Sequence, residues 1–373
     1  MVRINVSIIM LIGAGVVAVV IIALFIAFFK LQDNVNNSFQ GNQLTINGSS
    51  SSLLLIQRIP IPNVQGRIDH MAADITRTQL LLIAEIENNS LDIIDLSTGK
   101  RVHSIDKGLL GEPQGVVFIP RYEKIFVSNG QDGSVDVFDA KSFKLEKKIQ
   151  LPSTDADNIR YDSHNGLVYV GYGQGAIGEI NTTNGSFIGN IKLAGHPESF
   201  QIEQSTNKSL GGQDNRIFIN VPDSNSIAVA DKQKDIILTT WSIPNTQNNF
   251  PMALDEVHHH LFVGTRDPSK LIVIDTVSGK IVSSLNIAQD PDDIFYDALS
   301  KRIYVSCGEG FIDIFQQKDV NANDYNPIGS ILTAKGARTS LFVPELNRFY
   351  LAVPQEGNQV SEIRVYKVAN VTQ

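Results

Sequence analysis

Residues 112–151 read EPQGVVFIPRYEKIFVSNGQDGSVDVFDAKSFKLEKKIQL, and this stretch contains the repeating unit of the chain. Four short runs rich in β-branched and aromatic residues follow one another, separated by Gly, Asn, Asp or Pro. Such runs, bounded by such residues, are typical of short strands joined by tight turns. Apolar residues alternate with small or polar ones in the middle runs, which predicts strands with one buried face.

The same pattern recurs along the chain at a period of about 40 to 45 residues, the period of a repeat architecture. The first strands of the repeats begin at Asp69, Gln114, Asp157, Glu198, Met252, Asp292 and Thr339. Four antiparallel strands at this period are typical of a propeller blade, which cannot bury both of its faces alone. The sequence therefore predicts an all-β fold over residues 53–373, a seven-bladed β-propeller of four-stranded antiparallel blades.

The last repeat supplies only three strands before the chain ends. A separate strand, residues 53–61 (LLLIQRIPI), precedes the first complete repeat. We expect this strand to complete the last blade and close the ring, because closure removes an exposed sheet edge. Pro60 fits this assignment, since proline is tolerated in edge strands.

The N-terminus has a different composition. No charged residue lies between Arg3 and Lys30, and residues 8–29 are almost wholly apolar. About 20 residues suffice to cross a bilayer as a helix. A cleaved signal peptide is the alternative, but its apolar region runs only about 7–15 residues before a small-residue cleavage site. We therefore predict an N-terminal membrane anchor over residues 1–30, with one transmembrane helix at about 4–29, and a flexible Asn/Ser/Gly-rich tether over residues 31–52.

Charge predicts the orientation and limits the partners. Arg3 and the free amine favour a cytoplasmic N-terminus, which gives a single-pass protein of the cell membrane with its propeller on the extracytoplasmic side. Seven Asn-x-Ser/Thr sites that follow the apolar run agree weakly with export: Asn36, Asn47, Asn88, Asn181, Asn184, Asn207 and Asn370. Because the net charge is −8 and no run of Lys or Arg occurs, nucleic acid is not an expected partner.

The single cysteine, Cys307, excludes an internal disulfide and is predicted to be a buried, inert thiol.

The repeats resemble the YVTN-type β-propeller repeat family of bacteria and archaea. The resemblance is carried by VSNGQDGSVDVFD (127–139), VYVGYG (168–173) and LIVIDTVSGK (271–280). Four further strings are similar to an exported seven-bladed group of unestablished activity: GRIDHM (66–71), GHPESF (195–200), NFPMALD (249–255) and GARTSLFVP (336–344). The resemblance implies the fold and export, and it names no substrate.

Polar residues gather where each repeat enters its first strand. In propellers these positions surround the mouth of the central channel, so they predict a charged funnel on the top face. The predicted ligand-binding residues are Arg67, Asp69, His70, Gln114, Asp157, Asn158, His196, Glu198, Asn249, Asp292, Asp293 and Arg338, with Glu112, Asp155 and Asp290 beside them. The competing interpretation is structural, because Asp and Asn at a wet channel mouth can bond backbone N–H groups and join neighbouring blades.

Two functions follow from these patterns. We expect a membrane-anchored extracytoplasmic binding or scaffolding module that takes an unknown small molecule or protein at its top face. The alternative is a metal-dependent, lactonase-like hydrolase, in which oxygen ligands of the funnel would hold Ca²⁺ or Mg²⁺. No nucleophile elbow or HExxH string occurs, so no catalytic residue is assigned.

Two other features are assigned structural roles. The triplet His258–His260 is predicted to be a solvent-exposed hairpin rather than a metal site, because alternate residues of a strand point apart. Trp241 is predicted to pack.

Overall fold

The computed structural model describes residues 52–76, 79–106, 108–204, 215–319, 324–357 and 359–369. These residues form seven four-stranded antiparallel sheets, as the repeat pattern predicts. The predicted anchor and residues 31–51 of the tether lie outside the described residues. Within the described ranges, no helix is both long enough and apolar enough to cross a bilayer.

The strands are numbered in chain order, and the first belongs to the last blade: β1 (Leu53–Pro60). Blade one is β2 (Met71–Asp74), β3 (Leu80–Glu85), β4 (Ser90–Asp95) and β5 (Lys100–Ile105). Blade two is β6 (Pro113–Ile119), β7 (Lys124–Asn129), β8 (Ser134–Asp139) and β9 (Leu145–Gln150). Blade three is β10 (Ala156–Asp162), β11 (Leu167–Tyr172), β12 (Ala176–Asn181) and β13 (Ser186–Lys192).

Blade four is β14 (Phe200–Ile202), β15 (Arg216–Val221), β16 (Ser226–Asp231) and β17 (Ile236–Ser242). Blade five is β18 (Gln247–Asp255), β19 (His260–Asp267), β20 (Ser269–Asp275) and β21 (Ile281–Asn286). Blade six is β22 (Pro291–Asp297), β23 (Arg302–Cys307), β24 (Phe311–Asp319) and β25 (Asp324–Leu332). Blade seven has β26 (Ser340–Val343), β27 (Arg348–Val353) and β28 (Glu362–Val368) from the C-terminal part of the chain. Two 3₁₀ turns, Pro222–Ser224 and Pro344–Leu346, interrupt blades four and seven.

The prediction that residues 53–61 close the ring is confirmed. Strand β1 pairs antiparallel with β28, from Leu53 opposite Val368 to Pro60 opposite Glu362, and it forms the outer edge of blade seven. Its inward side chain Ile59 is 1% exposed, whereas Leu54 is 58% exposed. Blade seven is thus held by strands from both ends of the propeller.

The hydrophobic core is divided among the interfaces between neighbouring blades. Each buried cluster joins residues of two adjacent blades, and together the clusters run around the whole ring. Ile59, Leu81 and Tyr350, for example, lie in the cluster between blades seven and one. The burial that stabilises each blade therefore depends on the blade beside it.

Tight turns between strands need the residues that the sequence supplies. In the β7–β8 turn Gly133 has φ +67°, and a Cβ there would lie 1.9 Å from the carbonyl oxygen of Ser153. Only glycine fits, because it alone combines a positive φ with the absence of a side chain. This turn contacts the loop that leads into the first strand of blade three.

The strand directions define two faces of the ring. The loops leading into the first strands and the turns between second and third strands lie on one face, here called the funnel face. The other turns, including the one with the 96%-exposed Leu299, lie on the opposite face. As the fourth strand of its blade, β1 starts at the opposite face, where the Ala369 amide donates to the Ser52 carbonyl.

The histidine triplet corrects one prediction, because it is not a solvent-exposed hairpin throughout. His260 begins β19, is 3% exposed, and its Nδ1 lies 2.6 Å from the Tyr325 hydroxyl of blade six. His258 is only partly exposed and its Nδ1 contacts Asp255 Oδ2 at 2.8 Å. The other two structural assignments agree with the structure: Trp241 packs against Phe218, and Cys307 is buried.

Candidate functional site

A polar cavity of about 310 Å³ opens at the centre of the funnel face. Every blade contributes a residue to its wall, because the entry loops and the beginnings of the first strands converge on this cavity. The lining residues are Arg67, Asp69, His70, Gln114, Asp155, Asp157, Asn158, His196, Glu198, Ser199, Phe250, Arg266, Asp292, Asp293 and Arg338. Apart from Asn249, all of the predicted ligand-binding residues meet in this cavity, here called the funnel. Of the three residues predicted beside them, Asp155 lines the cavity, whereas Glu112 and Asp290 do not.

Asn249 lies behind the wall and does not line the funnel. It is 1% exposed, and its Nδ2 donates to Asn220 Oδ1 at 2.9 Å and to the Ser226 carbonyl at 3.0 Å. The Asn220 Nδ2 in turn donates to the Phe250 carbonyl at 2.7 Å. Asn249 therefore joins blades four and five, which is the structural role that the competing interpretation gave to such residues.

Arg266 is a lining residue that the sequence analysis missed. It lies near the end of β19, which runs to Asp267 and extends the hairpin of blade five over the funnel. Its guanidinium lies 4.0 Å from the ring centroid of Phe250, a cation–π contact. The signal in the sequence was its position in a turn between second and third strands, which opens on the funnel face.

Arginines and aspartates of blades five to seven form one network at the rim. Arg266 Nη2 donates to Asp292 Oδ1, and its Nε lies 3.1 Å from Asp290 Oδ1. Arg338 donates from Nη1 to both carboxylate oxygens of Asp290, at 2.6 and 2.7 Å, and its Nε lies 3.1 Å from Asp292 Oδ2. Both guanidinium groups are thereby oriented with little freedom left.

His70, which enters the funnel from blade one, is held as a cation. Its Nδ1 lies 3.3 Å from Asp69 Oδ2 and its Nε2 lies 3.1 Å from Asn158 Oδ1, so both ring nitrogens face acceptor oxygens. Burial alone would lower the pKa of His70, but the hydrogen bond and charge of Asp69 outweigh it and raise the pKa to about 9. The pKa of Asp69 is lowered despite its burial, chiefly by its contact with His70.

His196 has a different arrangement. Its Nδ1–H donates to the Gly173 carbonyl at 2.6 Å and lies 3.4 Å from Asp155 Oδ2. Its Nε2 faces the funnel, 3.8 Å from Asp157 Oδ2. Burial opposes a charged imidazole here too, yet the contact with Asp157 and the Gly173 hydrogen bond raise the pKa of His196 to about 9.

Asp157 is fixed by the close approach of blades two and three. The Ser128 hydroxyl donates to the Asp157 carbonyl oxygen. Gly115 makes the approach possible, because a Cβ at this position would lie 2.5 Å from the same oxygen. The residue is 7% exposed, and its carboxylate points into the cavity.

Three acids of the funnel, Glu198, Asp292 and Asp293, are destabilised in their charged form. Burial raises the pKa of Glu198 to about 8, and the charge of Asp157 adds to the effect. Burial likewise raises the pKa of Asp293 to about 7 against the opposing charge of His70, and it raises the pKa of Asp292. Carboxyls with such pKa values are typical of functional sites.

Two groups of side chains have the composition of a metal site. One is Asp69, His70 and Asp157, and the other is Asp157, His196 and Glu198; in each, one ligand atom per residue lies within 4.8 Å of the others. His196 and Glu198 also line a second cavity of about 350 Å³, together with Pro222, Asp223, Asn225, Gln247, Asn248 and Phe250. The second group therefore lies between two cavities.

The curated relatives support the fold and leave the activity open. The chain is 22% identical over 243 residues to Antigen Lp49 of Leptospira interrogans, covering 61% of this chain and 50% of that protein. It is 23% identical over 242 residues to the uncharacterized protein YncE of Salmonella typhimurium, covering 61% of this chain and 66% of that one. The matches thus span between half and two thirds of these relatives.

Solved structures agree on the architecture. The chain is similar to a chain of the hydrazine synthase of Kuenenia stuttgartiensis, with a TM-score of 0.67 and 16% identity over 87% of this chain and 99% of the other. A chain of a mitotic checkpoint complex matches with a TM-score of 0.69 and 11% identity over 88% and 95% of the two chains. At these identities the likeness concerns the fold alone. No family model matches the chain, so the resemblance to YVTN-type repeats stays a prediction.

Proposed function

We propose that the chain is a membrane-tethered propeller that binds a small charged ligand in its funnel, on the extracytoplasmic side. One observation carries the binding role: every blade places an ionisable or polar side chain around a single cavity. Burying such groups costs free energy unless they are paired. Raised pKa values at Glu198 and Asp293 mark acids whose charge is poorly compensated, as expected of a site shaped for binding rather than for stability.

The orientation follows from the direction of β1. The tether joins this strand at the face opposite the funnel, where Ser52 pairs with Ala369. A flexible tether of this length spans on the order of 25 Å, at about 5–6 Å times the square root of its residue number. With the predicted anchor at residues 4–29, the funnel would face away from the bilayer and be open to soluble ligands or partners.

Single cysteines on the two faces test this orientation in intact cells that express the full chain. Gln131→Cys replaces an exposed residue in a turn of the funnel face, and Leu299→Cys replaces an exposed residue of the opposite face. We expect a bulky, membrane-impermeant maleimide to label both, and Gln131→Cys at least as fast as Leu299→Cys. Wild type is the blank, because Cys307 is buried. Labelling only after lysis would refute the extracytoplasmic location.

Native mass spectrometry of the detergent-purified full chain tests the binding role. We expect a retained small-molecule or ion mass on wild type and its loss in the double variant Asp292→Asn, Arg338→Gln, which removes both charges of one rim pair together. Thermal melting of both proteins controls for folding. Equal masses on both proteins would place any ligand outside the funnel.

A lactonase-like hydrolase is the second candidate, and the mixed imidazole and carboxylate groups of the funnel favour it. A metal held there with an open position could activate a water molecule for attack on an ester carbonyl. Acid release from a simple lactone, followed with a pH indicator and abolished by His196→Gln, would distinguish this candidate from a binding module.

A further inference from the structure

We propose that Asp157, His196 and Glu198 bind one divalent transition-metal ion of the Zn²⁺ class at the wall of the funnel. This inference rests on the ligand-binding role proposed above and names the ion that would take part in it. The sequence alone pointed to Ca²⁺ or Mg²⁺ held by oxygen atoms, so the structure assigns a different ion.

The spacing of the ligand atoms fits an ion of this size. One oxygen or nitrogen from each of the three residues lies within 4.8 Å of the others, and His196 Nε2 lies 3.8 Å from Asp157 Oδ2. Ligands at the usual Zn–N and Zn–O lengths of about 2.0–2.2 Å lie roughly 3.3–3.6 Å apart in a tetrahedron. To reach that spacing, the His196–Asp157 distance of 3.8 Å must shorten by a few tenths of an ångström, and the other two distances, at most 4.8 Å, by up to about 1.5 Å.

His196 is oriented as metal-binding histidines are. A ligating imidazole usually donates its other N–H to a carboxylate or a backbone carbonyl, which fixes the ring and its tautomer. Here Nδ1–H donates to the Gly173 carbonyl at 2.6 Å, with Asp155 Oδ2 beside it at 3.4 Å. The nitrogen that remains as a ligand, and that faces Asp157, is therefore Nε2.

The two carboxylates lack other partners. The Asp157 side chain is 10% exposed and points into the cavity. Within the part of the chain that the structure describes, only His196 forms an ion pair with the carboxylate of Asp157. In the same part of the chain, no group hydrogen-bonds to or forms an ion pair with the carboxylate of Glu198. Burying the Asp157 carboxylate with no donor besides His196 is costly, and a cation bound between Asp157 and the half-buried Glu198 would neutralise both carboxylates.

The other candidate group fits less well. His70 directs both ring nitrogens at acceptor oxygens, Asp69 Oδ2 and Asn158 Oδ1, so neither nitrogen is available as a ligand. The choice of ion follows from His196, because imidazole suits Zn²⁺, Fe²⁺, Ni²⁺ or Cu²⁺ whereas Ca²⁺ and Mg²⁺ prefer oxygen ligands only. Three protein ligands leave one tetrahedral position, which would face the two cavities that share His196 and Glu198.

Zinc titration of the full chain tests the site. The detergent-purified protein, without a histidine tag, is stripped with EDTA and titrated with Zn²⁺ against a chromophoric chelator. We expect one Zn²⁺ per chain in wild type. His196→Gln, Asp157→Asn and Glu198→Gln should each weaken binding by more than the roughly 10–100-fold that loss of an outer-shell partner costs.

A matched control lies on the opposite face. His258→Gln removes an imidazole that also contacts a carboxylate, Asp255 at 2.8 Å, and it should leave zinc binding unchanged. Thermal melts identify any variant that fails to fold, in which case the remaining two ligand variants decide.

Three results would overturn the proposal: equal zinc affinity in wild type and His196→Gln, loss of binding in His70→Gln but not in His196→Gln, or binding of Ca²⁺ or Mg²⁺ in preference to Zn²⁺. If native mass spectrometry still shows a funnel ligand after such a result, the metal is refuted and the binding role stands. If neither metal nor ligand is found, both proposals fail.

Discussion

Blade one contains a buried carboxyl pair whose ionisation should control the pH dependence of stability. Glu85 ends β3 and Asp92 lies in β4; both are 0% exposed. Glu85 accepts hydrogen bonds from Ser90 and Asn88, and Asp92 Oδ2 accepts one from Arg101 at 2.7 Å. Among the described residues, neither Glu85 Oε1 nor Asp92 Oδ1 has a hydrogen-bond partner, although both atoms are buried. Burial, then the charge of Asp92, raises the pKa of Glu85 to about 8.

Blade two provides a natural comparison. Asn129 ends β7 and Asp136 follows in β8 at the same register as Glu85 and Asp92. The Asn129 Nδ2 donates to Asp136 Oδ2 at 3.1 Å and to Ser134 Oγ at 3.1 Å. An uncharged amide thus occupies the position that Glu85 occupies in blade one. A protonated Glu85 has the same capacity to donate to a neighbouring carboxylate.

The sign and size of the effect follow from the pKa. Because the folded pKa is raised from 4.5 to about 8, the stabilising contribution of Glu85 is fully present below pH 4.5. It is lost as the pH rises through 8. Each pKa unit corresponds to about 1.4 kcal/mol, so wild type should lose on the order of 4–5 kcal/mol relative to Glu85→Gln between pH 4.5 and 9. At roughly 2 °C per kcal/mol, the Tm difference should change by about 8–10 °C.

Thermal melting of the full chain from pH 4.5 to 9, followed by the fluorescence of its single tryptophan, measures this difference. The two proteins should melt close together at pH 4.5, and Glu85→Gln should melt higher at pH 9. Glu345→Gln, at an exposed acid, is the control and should follow wild type throughout. Parallel curves of Tm against pH for wild type and Glu85→Gln would show that burial does not raise the pKa of Glu85, and would refute the reasoning.

Two further predictions concern ring closure and a buried ion pair. Ile59→Ala should lower the free energy of unfolding of the full chain by about 2–5 kcal/mol, because it leaves a cavity between blades seven and one. Leu54→Ala on the same strand should have little effect. Equal losses for the two variants in urea unfolding would contradict the inward packing of β1. Lys232 Nζ donates to Asp162 Oδ2 at 2.5 Å and to the Glu203 carbonyl at 2.9 Å. Lys232→Met should cost about 3–5 kcal/mol, because it leaves the buried Asp162 carboxylate without its lysine, and adding Asp162→Leu should recover much of this loss. A double variant no more stable than the single one would contradict this.

Much of the fold could be predicted because each blade is specified locally. Alternating runs and glycine turns define the hairpins, and the missing fourth strand of the last repeat could be filled only by residues 53–61. Long-range contacts that depend on a neighbouring blade could not be read in this way. The burial of His260, for example, depends on Tyr325 of blade six, and nothing near His260 in the sequence indicates that partner.

The candidate site could be predicted wherever the loop before a first strand is regular. Asn249 failed because it occupies the register position of Pro113 and Ala156, one residue before the lining residues Gln114 and Asp157. Phe250 takes the lining position in blade five. Arg266 was missed because an extension of β19, not an entry loop, delivers it to the cavity. Both residues belong to blade five, whose first two strands are longer than those of the other blades.

Residues 61–70, the segment that follows β1, connect the strand that closes the ring to the wall of the funnel. The Ile61 amide donates to the Ser361 carbonyl at 2.9 Å, and the Thr339 hydroxyl donates to the Ile68 carbonyl at 2.7 Å, so blade seven holds the segment along its length. Arg67, Asp69 and His70 enter the funnel directly from it. A ligand that contacts these side chains therefore binds only when β1 is in place, and by linkage it stabilises the closed ring. The strand that completes the fold thus also completes the site.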